Sequence, residues 1–216
     1  NPELQQAKKL KIKCLSGAQS LADLSKNYFL IAISGMHGKS TTSSMIAKIL
    51  IKAKFDPTFI IGTKPGWRLG KSQYLIIEED DYKAKFLNYY PDILVITNID
   101  EEHLDCLKNL SNIIKIFKQY VSQVKQKIIA NKDNANIAQL LKNNKKTIFF
   151  SFGAKKDVEK LKKVLKVPGQ HNISNALAAL ATARQLGIDD KISFKALSEF
   201  KGIWRRFQES SLKIKN

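Results

Sequence analysis

Cysteine and long apolar runs are both scarce in this sequence. Its 216 residues include two cysteines, Cys14 and Cys106, which are too few for a disulfide framework and form no pair with metal-ligand spacing. The apolar runs are shorter than the roughly 18 residues that a membrane span needs. The first residues, Asn-Pro-Glu-Leu, lack the charged-then-apolar pattern of a secretory signal. We therefore expect a cytoplasmic protein with reduced thiols and no membrane association.

Acidic residues are also few. The chain has 19 Asp and Glu against 37 Lys and Arg, a formal net charge of +18. Such a charge attracts anions and, on its own, favours a basic nucleic-acid-binding module. However, the lysines are spread along the chain, without an Arg-rich arm. In the densest cluster, 155–166, apolar residues recur at helical spacing, so we predict the solvated face of a short helix. We do not expect nucleic acid as a partner, although that alternative stays open.

From residue 28 onward, short apolar runs alternate with amphipathic patterns of helical length. This alternation is typical of a mostly parallel sheet flanked by helices, so we predict an α/β fold. The terminal stretches are predicted to connect to parts of the protein outside this chain. Strands are predicted at 28–34, 58–62, 74–78, 93–97, 127–130 and 147–152, and helices at 42–54, 110–124 and 173–185.

The segment between the first strand and the first helix has the composition of a phosphate-binding loop. Residues 35–41 are Gly-Met-His-Gly-Lys-Ser-Thr. A glycine turn before a helix directs backbone N–H groups and the positive helix end towards an anion. Lys39 would add a charge, and the Ser40 hydroxyl could reach Mg²⁺. The spacing departs from G-x-x-x-x-G-K-[ST], because Ile33 lies six residues before Lys39, so an ordinary strand-to-helix turn remains an alternative.

Polar side chains follow the next two buried strands. Glu78 ends the strand at 74–78 and opens a run of four acids, which is unexpected in so basic a chain. Because the carboxyl ends of parallel strands form the ligand-binding edge of such sheets, Glu78 is predicted to hold Mg²⁺. Asn98, Asp100 and His103 follow the next strand at the same edge. His103 is a candidate for a second cation or for phosphate; a solvated acidic turn and a surface histidine are the alternatives.

Another polar group precedes the helix predicted at 173–185. Residues 168–172 are Pro-Gly-Gln-His-Asn, and Asn172 is a residue type that suits a helix N-cap. That role does not explain His171 or Asn175. An amide can donate to and accept from an adenine edge, so Asn175 is predicted to bind the base.

Taken in order, these motifs resemble the central ATP-binding domain of the Mur ligases, the ATP-dependent amide-bond-forming enzymes of peptidoglycan synthesis. The resemblance is carried by residues 34–42, 78–87, 97–105, 168–177 and 202–207. It implies a P-loop NTPase-like fold, in which ATP phosphorylates a substrate carboxylate and an amine then displaces the phosphate. His37, the 78–87 run and the double Arg before Phe207 are most similar to members that join L-alanine to UDP-N-acetylmuramate. Members that attach a murein tripeptide remain an alternative, favoured by Pro-Gly-Trp at 65–67.

The resemblance also implies roles for individual residues, with ATP and Mg²⁺ as the cofactors. The implied catalytic residues are Lys39, Glu78 and His103, and the implied metal ligands are Ser40, Glu78 and His103. The implied nucleotide-binding residues are Gly35, His37, Gly38, Lys39, Ser40, Thr41, His171, Asn175 and Arg206.

The family usually has three domains, so the resemblance divides this chain into three parts. Residues 1–27 correspond to the exit from a UDP-sugar-binding domain with a linker, 28–200 to the central ATP-binding domain, and 201–216 to the hinge to a third domain. UDP-N-acetylmuramate and L-alanine would be bound mainly by the other domains, so we do not expect this chain to ligate alone. Two stretches, 63–70 and 153–167, are shorter than is usual in the family.

A GTPase-type switch is a further alternative. Residues 131–134, Asn-Lys-Asp-Asn, superficially resemble the guanine-binding N-K-x-D motif. The position that should be Asp is Asn134, so the spacing fails.

Overall fold

A computed structural model describes residues 1–79, 82–101 and 109–203, which form a seven-stranded sheet with helices on both faces. The strands are β1 (Phe29–Ser34), β2 (Thr58–Ile60), β3 (Trp67–Arg68), β4 (Tyr74–Glu78), β5 (Ile93–Ile96), β6 (Lys127–Asn131) and β7 (Thr147–Phe150). The helices are α1 (Pro2–Lys9), α2 (Gly17–Ser25), α3 (Lys39–Lys52), α4 (Leu110–Ser122), α5 (Ala135–Leu141), α6 (Lys155–Val164), α7 (Gln170–Gln185) and α8 (Asp190–Ser198), with a 3-10 helix at Tyr82–Asn88.

The sheet order is β3-β2-β4-β1-β5-β6-β7, and the predicted α/β fold is confirmed. Neighbouring strands run parallel, apart from β3, which is antiparallel to β2. All six predicted strands are present, with ends within two residues of those predicted. The two-residue strand β3 was not predicted, because it is too short to show a period.

Two helices begin three residues earlier than predicted. Helix α3 begins at Lys39 and α7 at Gln170, each directly after a glycine with positive φ. The prediction of Asn172 as an N-cap is therefore wrong, because Asn172 is the third residue of α7. Its Nδ2 donates to the carbonyl of Pro168 at 2.6 Å. The predicted end of this helix at residue 185 is confirmed, and Gly187 follows it with φ +71°.

The central strands are buried on both faces, as their continuous apolar sequences predict. In β1, Ile31 and Ile33 pack in the cluster that contains α3, α7 and α8. Leu30 and Ala32 point the other way, into the cluster that contains α4 and α5. Within the described ranges, no helix has the length and apolar character needed to cross a membrane.

The parallel arrangement brings the carboxyl ends of four strands to one edge. Strand β1 lies between β4 and β5, and β6 follows β5. Ser34, Glu78, Ile96 and Asn131 are the last residues of these strands and share this edge. Ligands bind at this edge of open α/β sheets.

Candidate active site

The loop between β1 and α3 is shaped by two glycines. Gly35 has φ +123° and Gly38 has φ +82°, a region that strongly favours glycine. A Cβ on Gly35 would lie 2.8 Å from the carbonyl oxygen of Asn98, and one on Gly38 would clash with the Asn175 side chain. Both positions therefore require glycine for conformation and for space. The N-terminal end of α3 opens onto this loop, and its N–H groups form an anion-binding end.

The ammonium group of Lys39 lies over the loop. Its Nζ donates to the carbonyl of Gly35 at 2.6 Å and approaches that of Met36 at 3.5 Å. The side chain thus places a positive charge beside the N–H groups of the loop, where it can bind phosphate oxygens.

Thr97 and Asn98, which directly follow β5, hold the backbone of His37. The Asn98 side chain accepts from the His37 N–H at 2.9 Å and donates to the His37 carbonyl at 3.0 Å. The Thr97 hydroxyl donates to the same carbonyl at 2.6 Å. Sequence reasoning placed Asn98 at this edge but missed its contact with the loop, which depends on two strands lying side by side.

The structure brings Ser40 and Glu78 together. The Ser40 hydroxyl donates to Oε1 of Glu78 at 2.6 Å, and the backbone N–H of Gly62 donates to Oε2. A hydroxyl and a carboxylate oxygen are ligands that suit Mg²⁺, which usually keeps several waters and phosphate oxygens as well. Among the described residues, no group of three or more His, Cys, Asp or Glu side chains could hold a metal by itself. The pair therefore fits a Mg²⁺ that arrives with a phosphate ligand.

The acidic run after β4 does not act as one group. Glu79 is 3% exposed and points to the opposite face of the sheet, where the Tyr120 hydroxyl donates to its Oε1. Asp80, Asp81 and His103 lie outside the described residues, as does Arg206. Glu78 is thus the one described acid of this run that faces the loop.

The first turns of α7 meet the loop from the other side. Asn175 is 6% exposed, and its Oδ1 accepts from the Thr42 hydroxyl at 3.3 Å. His171 is exposed and lines the same cavity as the loop. The two predicted nucleotide-binding residues of α7 are therefore brought to the loop, although they lie more than 130 positions further along the chain.

A cavity of about 440 Å³ separates these elements. This volume is in the range of small-ligand pockets. Its walls are the loop, the 97–98 segment, the first turns of α7 and the 200–203 segment; the lining includes His37, Gly38, Thr41, Asn98, Asn131, His171, Asn175 and Ile203. A larger cleft of about 1360 Å³ runs along α3 and shares Phe200 and Ile203 with this cavity as lining residues.

The residues that resemble a guanine-binding motif have other partners. The Asn131 Nδ2 donates to the Thr97 carbonyl at 3.0 Å, and its Oδ1 accepts from the Asp133 N–H. The Asp133 carboxylate accepts from the N–H of Phe152 at 2.8 Å. These contacts hold turns together and do not support guanine recognition.

Comparison with known proteins identifies a family match. A sequence profile described as "Mur ligase middle domain" matches residues 69–183. The UDP-N-acetylmuramate–L-alanine ligase of Caldanaerobacter subterraneus is 37% identical over 96% of this chain and 52% of its own length. That of Clostridium acetobutylicum is 38% identical over 99% of this chain and 53% of its own length. This chain thus spans about half the length of these curated relatives. Both alignments are longer than the 216 residues of this chain, so the relatives carry residues that it lacks.

Solved structures show the same fold. A ligase of UDP-N-acetylmuramate and L-alanyl-gamma-D-glutamyl-meso-diaminopimelate from Neisseria meningitides has a TM-score of 0.78 and 25% identity, over 94% of this chain and 75% of that one. The UDP-N-acetylmuramate-alanine ligase of Thermotoga maritima has a TM-score of 0.76 and 23% identity, over 96% of this chain and 54% of that one. The second likeness, at its low identity, concerns the fold alone.

Proposed function

This chain belongs to the Mur ligase family, and we propose that it is the ATP-binding part of an enzyme that joins L-alanine to UDP-N-acetylmuramate. The observation that carries the proposal is the meeting of the glycine loop, Lys39 and the Ser40–Glu78 pair beside the cavity at the start of α7. The family is ATP-dependent, and we propose that the adenosine occupies this cavity, with the phosphates on the loop. We also propose that the enzyme acts in the cytoplasm.

L-Alanine is the proposed acceptor because the two curated relatives described above are named as L-alanine ligases. They are 37% and 38% identical to this chain over almost its whole length. The murein tripeptide remains a second candidate, because a solved tripeptide ligase has a TM-score of 0.78. That likeness supports the fold more than the acceptor, since its identity is 25%.

The proposed reaction has two steps. In the first, a carboxylate oxygen of UDP-N-acetylmuramate attacks the γ-phosphorus of ATP, the bond to the β-phosphate oxygen breaks, and an acyl phosphate and ADP form. In the second, the amine nitrogen attacks the acyl carbon and loses a proton, and inorganic phosphate leaves with the C–O bonding electrons. Charge moves onto phosphate oxygens during the first step, so fixed positive groups there lower the barrier.

Residues of this chain would supply those groups. Lys39 and the loop N–H groups would bind the β- and γ-phosphates, and Ser40 with Glu78 would hold Mg²⁺. When bound, Mg²⁺ would neutralise phosphate charge. Asn175 and His171 would bind the adenosine. His103 and Arg206 keep their proposed roles at a second metal and at the nucleotide, respectively.

Calorimetry of this chain with Mg-ATP, Mg-GTP and a short DNA duplex tests the proposal. We expect Mg-ATP to bind, and both Lys39→Ala and Asn175→Ala to weaken its affinity. Tighter binding of Mg-GTP, or salt-sensitive DNA binding without ATP binding, would overturn the assignment.

A further inference from the structure

The turn formed by residues 131–136, from the end of β6 into the first turn of α5, donates three amide hydrogen bonds to the segment after β5. Asn131 donates to the carbonyl of Thr97 at 3.0 Å, and Asn136 to that of Ile99 at 2.7 Å. Asn134 donates to Oδ1 of Asp100 at 3.3 Å. Three side chains of one turn therefore fix a segment of four residues, 97–100.

That segment in turn shapes the phosphate loop. As described above, Thr97 and Asn98 bind both backbone groups of His37. The carbonyl of Asn98 also accepts from the N–H of Met36 at 3.4 Å. The loop therefore takes its shape from the 97–98 segment as well as from its own glycines.

The turn is itself anchored at both ends. Within the turn, Oδ1 of Asn131 accepts from the N–H of Asp133 at 3.0 Å. The Asp133 carboxylate binds the N–H of Phe152 after β7, and Oδ1 of Asn134 caps α5 by accepting from the N–H of Ile137. A turn held in this way can transmit its position to the segment that it contacts.

We propose that Asn136, together with Asn131, is a positioning residue for the phosphate loop. Asn136 is half-buried and lies outside the set of residues that line the nucleotide cavity. It therefore acts through Ile99 and through the neighbouring residues 97 and 98, which hold the backbone of His37. The inference rests on the proposed function, because the turn would orient the N–H groups of the loop towards the phosphates of ATP. At metal sites, replacing an outer residue that orients a ligand typically changes metal affinity or activity about 10–100-fold, and we expect an effect at the lower end of that range here.

Asn136→Ala tests this in the whole chain, with Asn144→Ala as the matched control. The Asn144 amide also binds local backbone, accepting from the N–H of Lys146 at 2.9 Å, but it lies before β7 and away from the loop. We expect Asn136→Ala to speed hydrogen exchange at the His37 amide and to weaken Mg-ATP binding about tenfold. Adenosine binding, followed by NMR titration, should weaken less than Mg-ATP binding, because His171 and Asn175 are held by α7 and not by the loop.

A further variant separates the hydrogen bond from packing. Asn136→Asp keeps the size of the side chain but, when ionised, cannot donate to the carbonyl of Ile99. It should therefore behave like Asn136→Ala.

Unchanged exchange at His37 in Asn136→Ala would overturn the positioning role. An equal loss of Mg-ATP and adenosine affinity would also overturn it, since that result indicates general loosening of the site. If the unmodified chain binds no Mg-ATP, the proposed function fails, while the exchange at His37 still decides whether the turn positions the loop.

Discussion

Helices α3 and α7 begin at the candidate active site and end away from it, and their two ends differ in chemistry. Each begins after a glycine, and the first turns read Lys-Ser-Thr-Thr and Gln-His-Asn-Ile. At the other ends, Lys52 of α3 binds Glu199 at 2.9 Å. Arg184 of α7 binds Asp157 at 2.7 Å and Asp190 at 2.8 Å.

The difference follows from the helix dipole. The negative C-terminal ends carry cations, whose charge they stabilise. The positive N-terminal end of α3 lies where the proposed phosphates bind, and that of α7 lies at the cavity proposed for the adenosine; neither first turn contains Asp or Glu. One end of each helix is thus closed by ion pairs, and the other opens onto the proposed nucleotide site.

The largest effect is expected at the N-terminal end. Gly38→Ala should abolish measurable ATP binding, because a side chain there clashes with Asn175 and strains a left-handed residue by about 1–2 kcal/mol. Gly187→Ala is the control, since Gly187 also has positive φ, and among the described atoms none lies within 4 Å of its added Cβ. Gly187→Ala should lose stability through the backbone strain alone and should keep ATP binding. Calorimetry and thermal unfolding check both; equal ATP affinity in the two variants would refute the comparison.

The next effect concerns two adjacent acids on opposite faces of the sheet. Glu78→Gln should raise the Mg²⁺ concentration needed for ATP binding about tenfold, because it removes a charge beside Ser40. Glu79→Gln keeps an acceptor for the Tyr120 hydroxyl and should leave the Mg²⁺ requirement unchanged. The measurement is ATP affinity across a Mg²⁺ titration. If both variants raise the required Mg²⁺ concentration equally, the proposed role of Glu78 as a metal ligand is wrong.

A smaller effect is expected at the C-terminal end of α7. Arg184→Met removes two ion pairs and should lower the free energy of unfolding by about 1 kcal/mol, with ATP affinity unchanged. Lys163→Met, at an exposed position in α6, serves as the control and should have little effect. Denaturant unfolding at low and high salt measures the difference, which should shrink as salt screens the pairs. A loss of ATP affinity in Arg184→Met would contradict the view that the C-terminal end of α7 affects stability without affecting ATP binding.

The smallest effect is a dependence on pH. The hydrogen bond from Arg184 lowers the pKa of Asp190 below its ordinary value. A carboxylate whose pKa is lowered by folding stabilises the folded state at pH values above its ordinary pKa, near 4. This stabilisation is lost as the pH falls through the native pKa. The stability gap between the unmodified chain and Arg184→Met should therefore be constant from about pH 5 to 7 and narrow below about pH 4. Unfolding curves at several pH values test this; a gap that widens in acid would contradict it.

Local sequence patterns were sufficient to predict much of the fold. The strands were predicted because apolar runs buried on both faces differ clearly from amphipathic helices. The loop at 35–40 was predicted because its glycines, lysine and serine are contiguous. The cap at Asn172 was misassigned because the cap position is taken by Gly169, with φ +99°, three residues earlier, and residue type alone does not fix the helix start.

The amino-acid sequence by itself thus determined the α/β class, the loop and the residues that could serve it, because each depends on neighbours in the chain. Tertiary structure alone decided which of them meet. It placed Glu78 beside Ser40 and turned Glu79 to the other face, brought Asn175 to Thr42, and set Asn98 and Asn136 behind the loop. The reason is that these contacts form between strands and helices far apart in sequence, so they exist only once the order of the sheet is fixed.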